Sequence, residues 1–313
     1  MRRWLIPLFL LLGLAIVKSN AQQLPYHYGI DANAFAWNPA LAGRFNYRSV
    51  GMSYNQPWTG FEDAPRLAQA FAESPIVPLR MSAGLSVGQE FSNTYNRTDV
   101  TAAANYKLRL GYRGKMQLTI GLSIRWEQLQ LSIGNPTVND PDDPLIGTAR
   151  EVYSRFNAGA GLFFATNDEY YEETIYFAGL AAYPAIPGGL GAEVQGYRPA
   201  IHGSFMAGGS IKTGGGDWFV EPVLWVDYSA PRQLYPQAYF KLERDRYYWV
   251  RLHLSTNSAG LGVGYMWRVG KFLDARFGIT GRYWFGSIGN VNTPGMDGEM
   301  ILREQLPGRD YAF

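Results

Sequence analysis

Apolar and polar residues alternate along most of the chain, most clearly in residues 116–127. Every second residue of this segment is apolar: Met116, Leu118, Ile120, Leu122, Ile124 and Trp126. Gln, Thr, Gly, Ser, Arg and Glu stand between them. Because a β-strand points successive side chains to opposite faces, the pattern predicts a strand with one wholly apolar face. Segments 261–269 and 273–285 repeat the pattern.

Segments of this kind predict about 14 strands, an even number as in bacterial single-chain membrane barrels. The predicted spans are 45–55, 66–74, 80–90, 98–110, 115–127, 152–165, 173–183, 199–212, 217–228, 236–243, 247–257, 260–270, 272–285 and 298–305. If the N-terminus lies in the periplasm, the long connections 128–151, 184–198 and 286–297 all fall at the outside end. Long outside loops and short periplasmic turns are typical of outer-membrane barrels.

Alternation also fits a soluble β-sandwich, whose polar face meets water. Three features favour the membrane barrel. The predicted strands exceed the roughly five or six residues usual in soluble sheets and match a tilted membrane strand. Glycine and charged residues share the non-apolar face, as in a crowded barrel interior. Aromatic residues cluster near strand ends, as interfacial girdles require: Trp126, Trp267, Tyr283, Phe285 and the segment 247–249. The sequence therefore predicts an all-β fold, a single transmembrane antiparallel β-barrel.

Residues 1–21 have the pattern of a secretory signal peptide. Two arginines follow Met1, Leu5–Val17 is apolar, and small residues precede a cleavage point after Ala21. A membrane anchor helix is the alternative, but the apolar run is shorter than the ~20 residues that a span needs. We expect the mature chain, residues 22–313, to form the barrel domain in the outer membrane, in contact with its lipid.

Composition supports this interpretation and excludes other classes. The chain has 36 Gly, 15% aromatic residues and only 17% charged residues, whereas soluble domains carry about a quarter charged residues. It has no Cys, which excludes disulfide scaffolds and thiolate metal sites. A net charge of +2 gives no electrostatic footprint for nucleic acid. We expect no nucleic-acid partner and no cofactor.

Two histidines each lie close in sequence to a serine, as the base and nucleophile of a hydrolase would. His253, Ser255 and Asn257 lie close together in sequence, and outer-membrane phospholipases use a similar His-Ser-Asn arrangement. Those enzymes present the site to lipid, whereas the alternation here points His253 into the lumen. An interior, hydrogen-bonded histidine is therefore favoured, and the same holds for His202 with Ser204. We predict no catalytic residue and no enzymatic activity.

Other polar segments also have ordinary interpretations. Residues 139–143 form an acidic cluster in the longest predicted loop. The cluster lacks the glycine and the distal glutamate of an EF-hand, so no metal site is predicted. Residues 208–214 resemble a phosphate-binding loop only faintly, and 168–173 form an acidic turn. Several arginines occupy inward positions, where they either pair with acids or select anions: Arg109, Arg125, Arg155, Arg251, Arg268, Arg276 and Arg282.

The most specific stretch is N-terminal. Asn38-Pro39-Ala40-Leu41-Ala42-Gly43 precedes the first predicted strand, which ends in Asn55-Gln56-Pro57-Trp58-Thr59-Gly60. This resembles the PorP/SprF family of outer-membrane proteins, from the type IX secretion and gliding machinery of Bacteroidota. Pro57 is inserted relative to the family's motif, and segments 175–181 and 298–302 resemble a central and a closing strand. The motif residues are Asn38, Pro39, Ala40, Gly43, Asn55, Gln56, Trp58 and Gly60.

The resemblance implies a non-enzymatic role: supporting export of particular adhesins, or holding their C-terminal domains at the cell surface, with type IX secretion components as partners. The loops 128–151 and 184–198 are the candidates for gripping such a partner. From the residues themselves, Asn38-Pro39 sets a turn, Gly43 releases the chain into a strand, and Trp58 is expected to anchor at the outer interface. The alternative function is a passive or anion-selective pore.

Overall fold

The computed structural model of the protein describes residues 32–61, 64–93, 95–111, 115–132, 150–167, 173–183, 201–213, 217–229, 233–244, 247–270, 273–288 and 291–306. Fourteen strands lie in these residues: β1 Tyr47–Gln56, β2 Arg66–Ile76, β3 Met81–Phe91, β4 Tyr95–Leu110, β5 Met116–Ser132, β6 Arg150–Ala165, β7 Ile175–Tyr183, β8 His202–Lys212, β9 Trp218–Ser229, β10 Gln233–Arg244, β11 Tyr248–Ser255, β12 Ser258–Arg268, β13 Leu273–Ile288 and β14 Val291–Gln305. Short 3₁₀ turns occupy Ala34–Ala36, Pro39–Leu41, Arg44–Asn46 and Val77–Leu79.

The strands form one closed antiparallel barrel in which each strand pairs with its sequence neighbours. β1 closes the barrel on β14, with Tyr47 opposite Gln305 and Gln56 opposite Met296. Closure gives every strand two partners, so no sheet edge is left along the ladder. The predicted all-β barrel of 14 strands is confirmed. No helix in the described residues is long and apolar enough to span a membrane.

Side-chain burial follows the predicted alternation. On β5, Leu122 is 66% exposed on the outer surface, whereas Thr119 on the opposite face is fully buried. On β13, Ile279 faces outward while Arg276 and Arg282 are buried in the lumen. The outer surface is therefore apolar and the lumen polar, as a barrel in lipid requires.

The end of the chain differs from the prediction. We expected a long connection at 286–297 and a last strand at 298–305, but β13 continues to Ile288 and β14 begins at Val291. Pro294 and Gly295 made the segment resemble a loop. The ladder nevertheless continues through them, with Pro294 opposite Tyr283. The strand ends that flank the two longest connections, Ser132 with Arg150 and Tyr183 with His202, lie at the same end of the barrel, which we call the long-loop end.

Residues 32–46 lie inside the barrel and are called the N-terminal plug. Phe35, Leu41 and Ala42 of the plug are almost fully buried, and they pack against inward side chains of the wall. Gly43 has φ +57°, a conformation that glycine adopts without steric cost, and it directs the chain toward β1. The sequence predicted the turn and the glycine release but not that the segment fills the lumen.

Candidate functional site

Asn38 is the central polar residue of the plug. Its Oδ1 accepts a hydrogen bond from the Ala40 amide at 3.0 Å and so caps the turn Pro39–Leu41. Its Nδ2 donates to the carbonyl oxygens of Leu162 at 3.1 Å and Leu180 at 3.4 Å. One side chain thus shapes the plug and attaches it to β6 and β7.

Glycines in the wall make room for the plug. A Cβ on Gly121 would collide with the backbone of Ala40, and one on Gly161 would collide with the Asn38 amide. A Cβ on Gly84 would stand 2.9 Å from the Phe35 ring. These positions need glycine because another segment of the chain passes directly over them.

Three side chains on β4 and β5 hold the plug backbone. Asn105 Nδ2 donates to the Pro39 and Ala42 carbonyls at 3.2 and 2.8 Å. Lys107 Nζ donates to the Gly43 carbonyl at 2.7 Å.

Arg125 makes the third attachment from β5. Its Nη2 donates to the Ala36 carbonyl at 2.6 Å, and its Nε donates to Thr101 Oγ1 at 2.8 Å. Its guanidinium also stacks 4.1 Å from the centre of the Tyr183 ring. The lumen alternation predicted that Arg125 points inward. It could not predict the roles of these three residues, because their partners lie on a distant segment of the chain.

The second half of the motif lies at the long-loop end. Asn55 on β1 hydrogen-bonds Asp297 on β14, and the Thr59 amide donates to the Pro294 carbonyl at 2.9 Å. Trp58 is only 6% exposed and packs with Ala64 and Trp284.

The expectation that Trp58 anchors at the lipid interface is therefore wrong. The connection after β1 folds against β13 and β14, and Gly295 leaves space for Pro57 to lie against it. Gly60 is exposed with no atom near its Cβ position, so packing gives no reason for glycine there.

Ion pairs fill the lumen on the β9–β14 side. Lys241 Nζ lies 3.0 Å from Glu243 and 3.4 Å from Glu221, and Arg276 reaches the same Glu243 at 3.5 Å. Further pairs on this side join Arg251 to Glu299 and Arg282 to Asp297. Arg155 of β6 pairs with Glu127 of β5 on the plug side.

These contacts favour the paired-charge interpretation of the inward arginines. Arg109 and Arg268 differ from the others because they lie at strand ends and are exposed. Arg125 differs because it bonds to the plug backbone.

The histidine candidates occupy the lumen wall. His253 is buried, its Nε2 lies 3.2 Å from Gln237 Oε1, and its ring packs on Tyr239. Ser255 instead hydrogen-bonds Asn257 and Ser258. These contacts are those of an interior, hydrogen-bonded histidine rather than of a histidine poised over a serine. His202, the first residue of β8, lies half-buried beside Tyr183.

Several sequence candidates lie elsewhere. Residues 139–143 and 168–172 are outside the described residues. Gly208 to Lys212 belong to β8 and not to a phosphate-binding loop. The packing of β8 on β9 accounts for Gly208, because a Cβ there would collide with the Pro222 carbonyl. In the described ranges, no group of three or more His, Asp or Glu side chains is arranged to hold a metal ion.

A closed antiparallel barrel with an apolar outer surface and a polar, filled lumen defines an outer-membrane β-barrel protein. Within this class, the chain belongs to the PorP/SprF family of type IX secretion system membrane proteins, whose model matches residues 19–291. The match covers both halves of the N-terminal motif and extends to the first residue of β14. The resemblance seen in the sequence is confirmed. A comparison with curated protein sequences gives no match.

Solved structures resemble the chain in fold. The CymD monoaromatic hydrocarbon channel has a TM-score of 0.53 at 10% identity, over 90% of this chain and 95% of that one. The toluene transporter TodX of Pseudomonas putida has a TM-score of 0.52 at 9% identity, over 88% of this chain and 94% of TodX. At such identities the likeness establishes a common barrel fold only.

Proposed function

We propose that this barrel is a non-enzymatic component of type IX secretion that supports export or surface attachment of specific adhesins through their C-terminal domains. Family membership supports the secretion role. The observation that carries the attachment role is the filled lumen. The plug fills the lumen beside β2–β8 and also packs on Val223 of β9 and Tyr239 of β10, and ion pairs line the rest of the β9–β14 side. A lumen packed in this way suits a rigid platform that presents loops better than it suits a passage.

The connections between β5 and β6 and between β7 and β8 are the proposed contact sites for the partner. They are the longest connections and share the long-loop end of the barrel. Strands β5 and β6 also extend beyond their predicted lengths toward this end, to Ser132 and from Arg150. The β5–β6 ladder continues to Ser132 opposite Arg150, so the proposed contact site begins at the end of a paired hairpin.

Deleting residues 134–146 tests this assignment. We expect the partner adhesin to be lost from the cell surface, measured by protease accessibility on intact cells, while the barrel still folds. Folding is checked by the shift in electrophoretic mobility of unheated samples. A variant with the same residues replaced by a Gly/Ser segment of equal length separates loop sequence from loop length. Normal surface retention in both variants would refute the assignment.

The alternative of a passive or anion-selective pore has less support, because the inward arginines near the lumen centre are bonded to carboxylates or to the plug. Conductance of the purified barrel in planar bilayers tests it. We expect no sustained current, and a large steady current with anion preference would favour the pore instead.

The absence of enzymatic activity is tested with His253→Ala, which should leave any lipase signal of the preparation unchanged.

A further inference from the structure

The register between β6 and β7 is the shortest in the described part of the barrel. It runs only from Ala160 opposite Ala182 to Ala165 opposite Phe177. On its other side, β6 pairs with β5 along its whole length. Beyond this register the ladder continues with the Thr166 amide donating to the Tyr176 carbonyl at 2.9 Å, and at the other end the described residues of β7 stop at Tyr183. We call residues 160–165 and 177–182 the β6–β7 seam.

The outward side chains of the seam also pack weakly. Leu162 opposite Leu180 is the one pair of two large residues. The pairing of β12 with β13 is richer, since it sets Val263 opposite Ile279 and continues with an aromatic pair. Large cross-strand pairs contribute more to sheet stability than pairs that include alanine. The remaining outward pairs of the seam all contain alanine: Ala160 with Ala182 and Phe164 with Ala178.

Asn38 bridges this seam from the lumen. Leu162 and Leu180 face each other across the seam, and the Asn38 Nδ2 donates to the carbonyl oxygens of both. The amide comes this close because Gly161 and Gly179 lack side chains: a Cβ on Gly179 would lie 3.1 Å from Nδ2. One plug side chain therefore adds two hydrogen bonds across the β6–β7 seam.

The plug is a connected unit, so this link depends on the position of the plug. Asn105, Lys107 and Arg125 fix the plug backbone to the neighbouring strands β4 and β5. If the plug moves out of the lumen, Asn38 leaves the seam with it. We infer that Asn38 is a positioning residue for the barrel wall, and that the β6–β7 seam loosens when the plug is displaced. This inference concerns the barrel itself and stands whether or not the proposed partner is correct.

Hydrogen exchange of the folded barrel in detergent, read by mass spectrometry, tests the inference. In Asn38→Ser, the hydroxyl keeps an acceptor for the Ala40 amide but is too short to reach the two carbonyls. Amides of the seam should exchange about tenfold faster, as expected for the loss of two ordinary hydrogen bonds. Amides of β12 and β13 should be unchanged.

Two further variants separate the seam link from general effects. Asn105→Ala loosens the plug from β4 without touching the seam, so plug amides should exchange faster while the seam responds less than in Asn38→Ser. Gly179→Ala pushes the Asn38 amide away but leaves its cap intact, and should accelerate seam exchange even if Asn38→Ser does not fold. Its matched control is Gly281→Ala, because the Cβ position of Gly281 has no neighbouring atom. Unchanged seam exchange in both Asn38→Ser and Gly179→Ala, or equal acceleration in every strand pair, would overturn the inference.

Discussion

Arg125→Met should release one end of the plug and give the barrel a higher conductance than the unmodified protein. The substitution keeps a long apolar side chain but removes both guanidinium hydrogen bonds, to the Ala36 carbonyl at 2.6 Å and to Thr101 at 2.8 Å. It also removes the stacking on Tyr183. Hydrogen bonds to charged groups contribute about 1.5–3 kcal/mol each, and a buried cation–π contact about 1–2 kcal/mol.

Only part of this sum acts on the plug, because the bond to Thr101 and the stacking on Tyr183 lie within the wall. The bond to Ala36, together with the carbonyl left buried without its partner, costs the plugged state about 3 kcal/mol. A change of 1.4 kcal/mol is a factor of ten in an equilibrium, so the displaced population should rise about 100-fold. Asn38, Asn105 and Lys107 still hold the plug. We therefore expect intermittent openings rather than a permanent pore.

Planar-bilayer recordings measure the effect as the frequency of openings. Arg282→Met is the matched control, because it removes a buried lumen arginine that pairs with Asp297 on the side away from the plug. Openings in Arg125→Met but not in Arg282→Met are expected. If both variants conduct equally, lumen charge rather than plug attachment governs closure, and if neither conducts, the plug does not control the lumen.

Three further outcomes follow from the same contacts. Lys241→Met removes the lysine that two buried carboxylates share, Glu221 and Glu243, although Glu243 keeps Arg276, so the barrel should lose about 3 kcal/mol of stability, measured by urea unfolding in lipid vesicles. Trp58→Ala removes a buried aromatic side chain and should cost about 3 kcal/mol or more in the same assay, whereas a lipid-facing residue would cost less. The purified mature protein should begin at Gln22 by intact-mass measurement, and a retained N-terminus would refute signal-peptide cleavage after Ala21.

Local pattern was enough to predict the wall. Strand alternation depends on neighbouring residues only, so the faces of β5 and β13 followed directly from sequence. The predicted connection at 286–297 was wrong, because proline and glycine occur both in loops and within strands. Pro294 and Gly295 lie inside β14. The position of the plug inside the lumen could not be predicted from local pattern, because Asn38 and its acceptor Leu162 are 124 residues apart. An Asn-Pro turn looks the same in sequence whether it lies outside a barrel or within one.

The plug also explains how the two sides of the lumen differ in composition. On the β9–β14 side, large inward residues such as Trp249, Lys241 and Arg282 fill the space themselves, and the Trp249 ring covers the wall at Gly264. On the β3–β6 side, the inward residues beneath the plug include Gly84, Gly121 and Gly161, and the plug supplies the missing volume. Close packing of a barrel interior can be reached by side chains or by backbone, and each requires a different wall. Inward glycines of a predicted barrel therefore indicate that either a large side chain or another segment of chain lies against them.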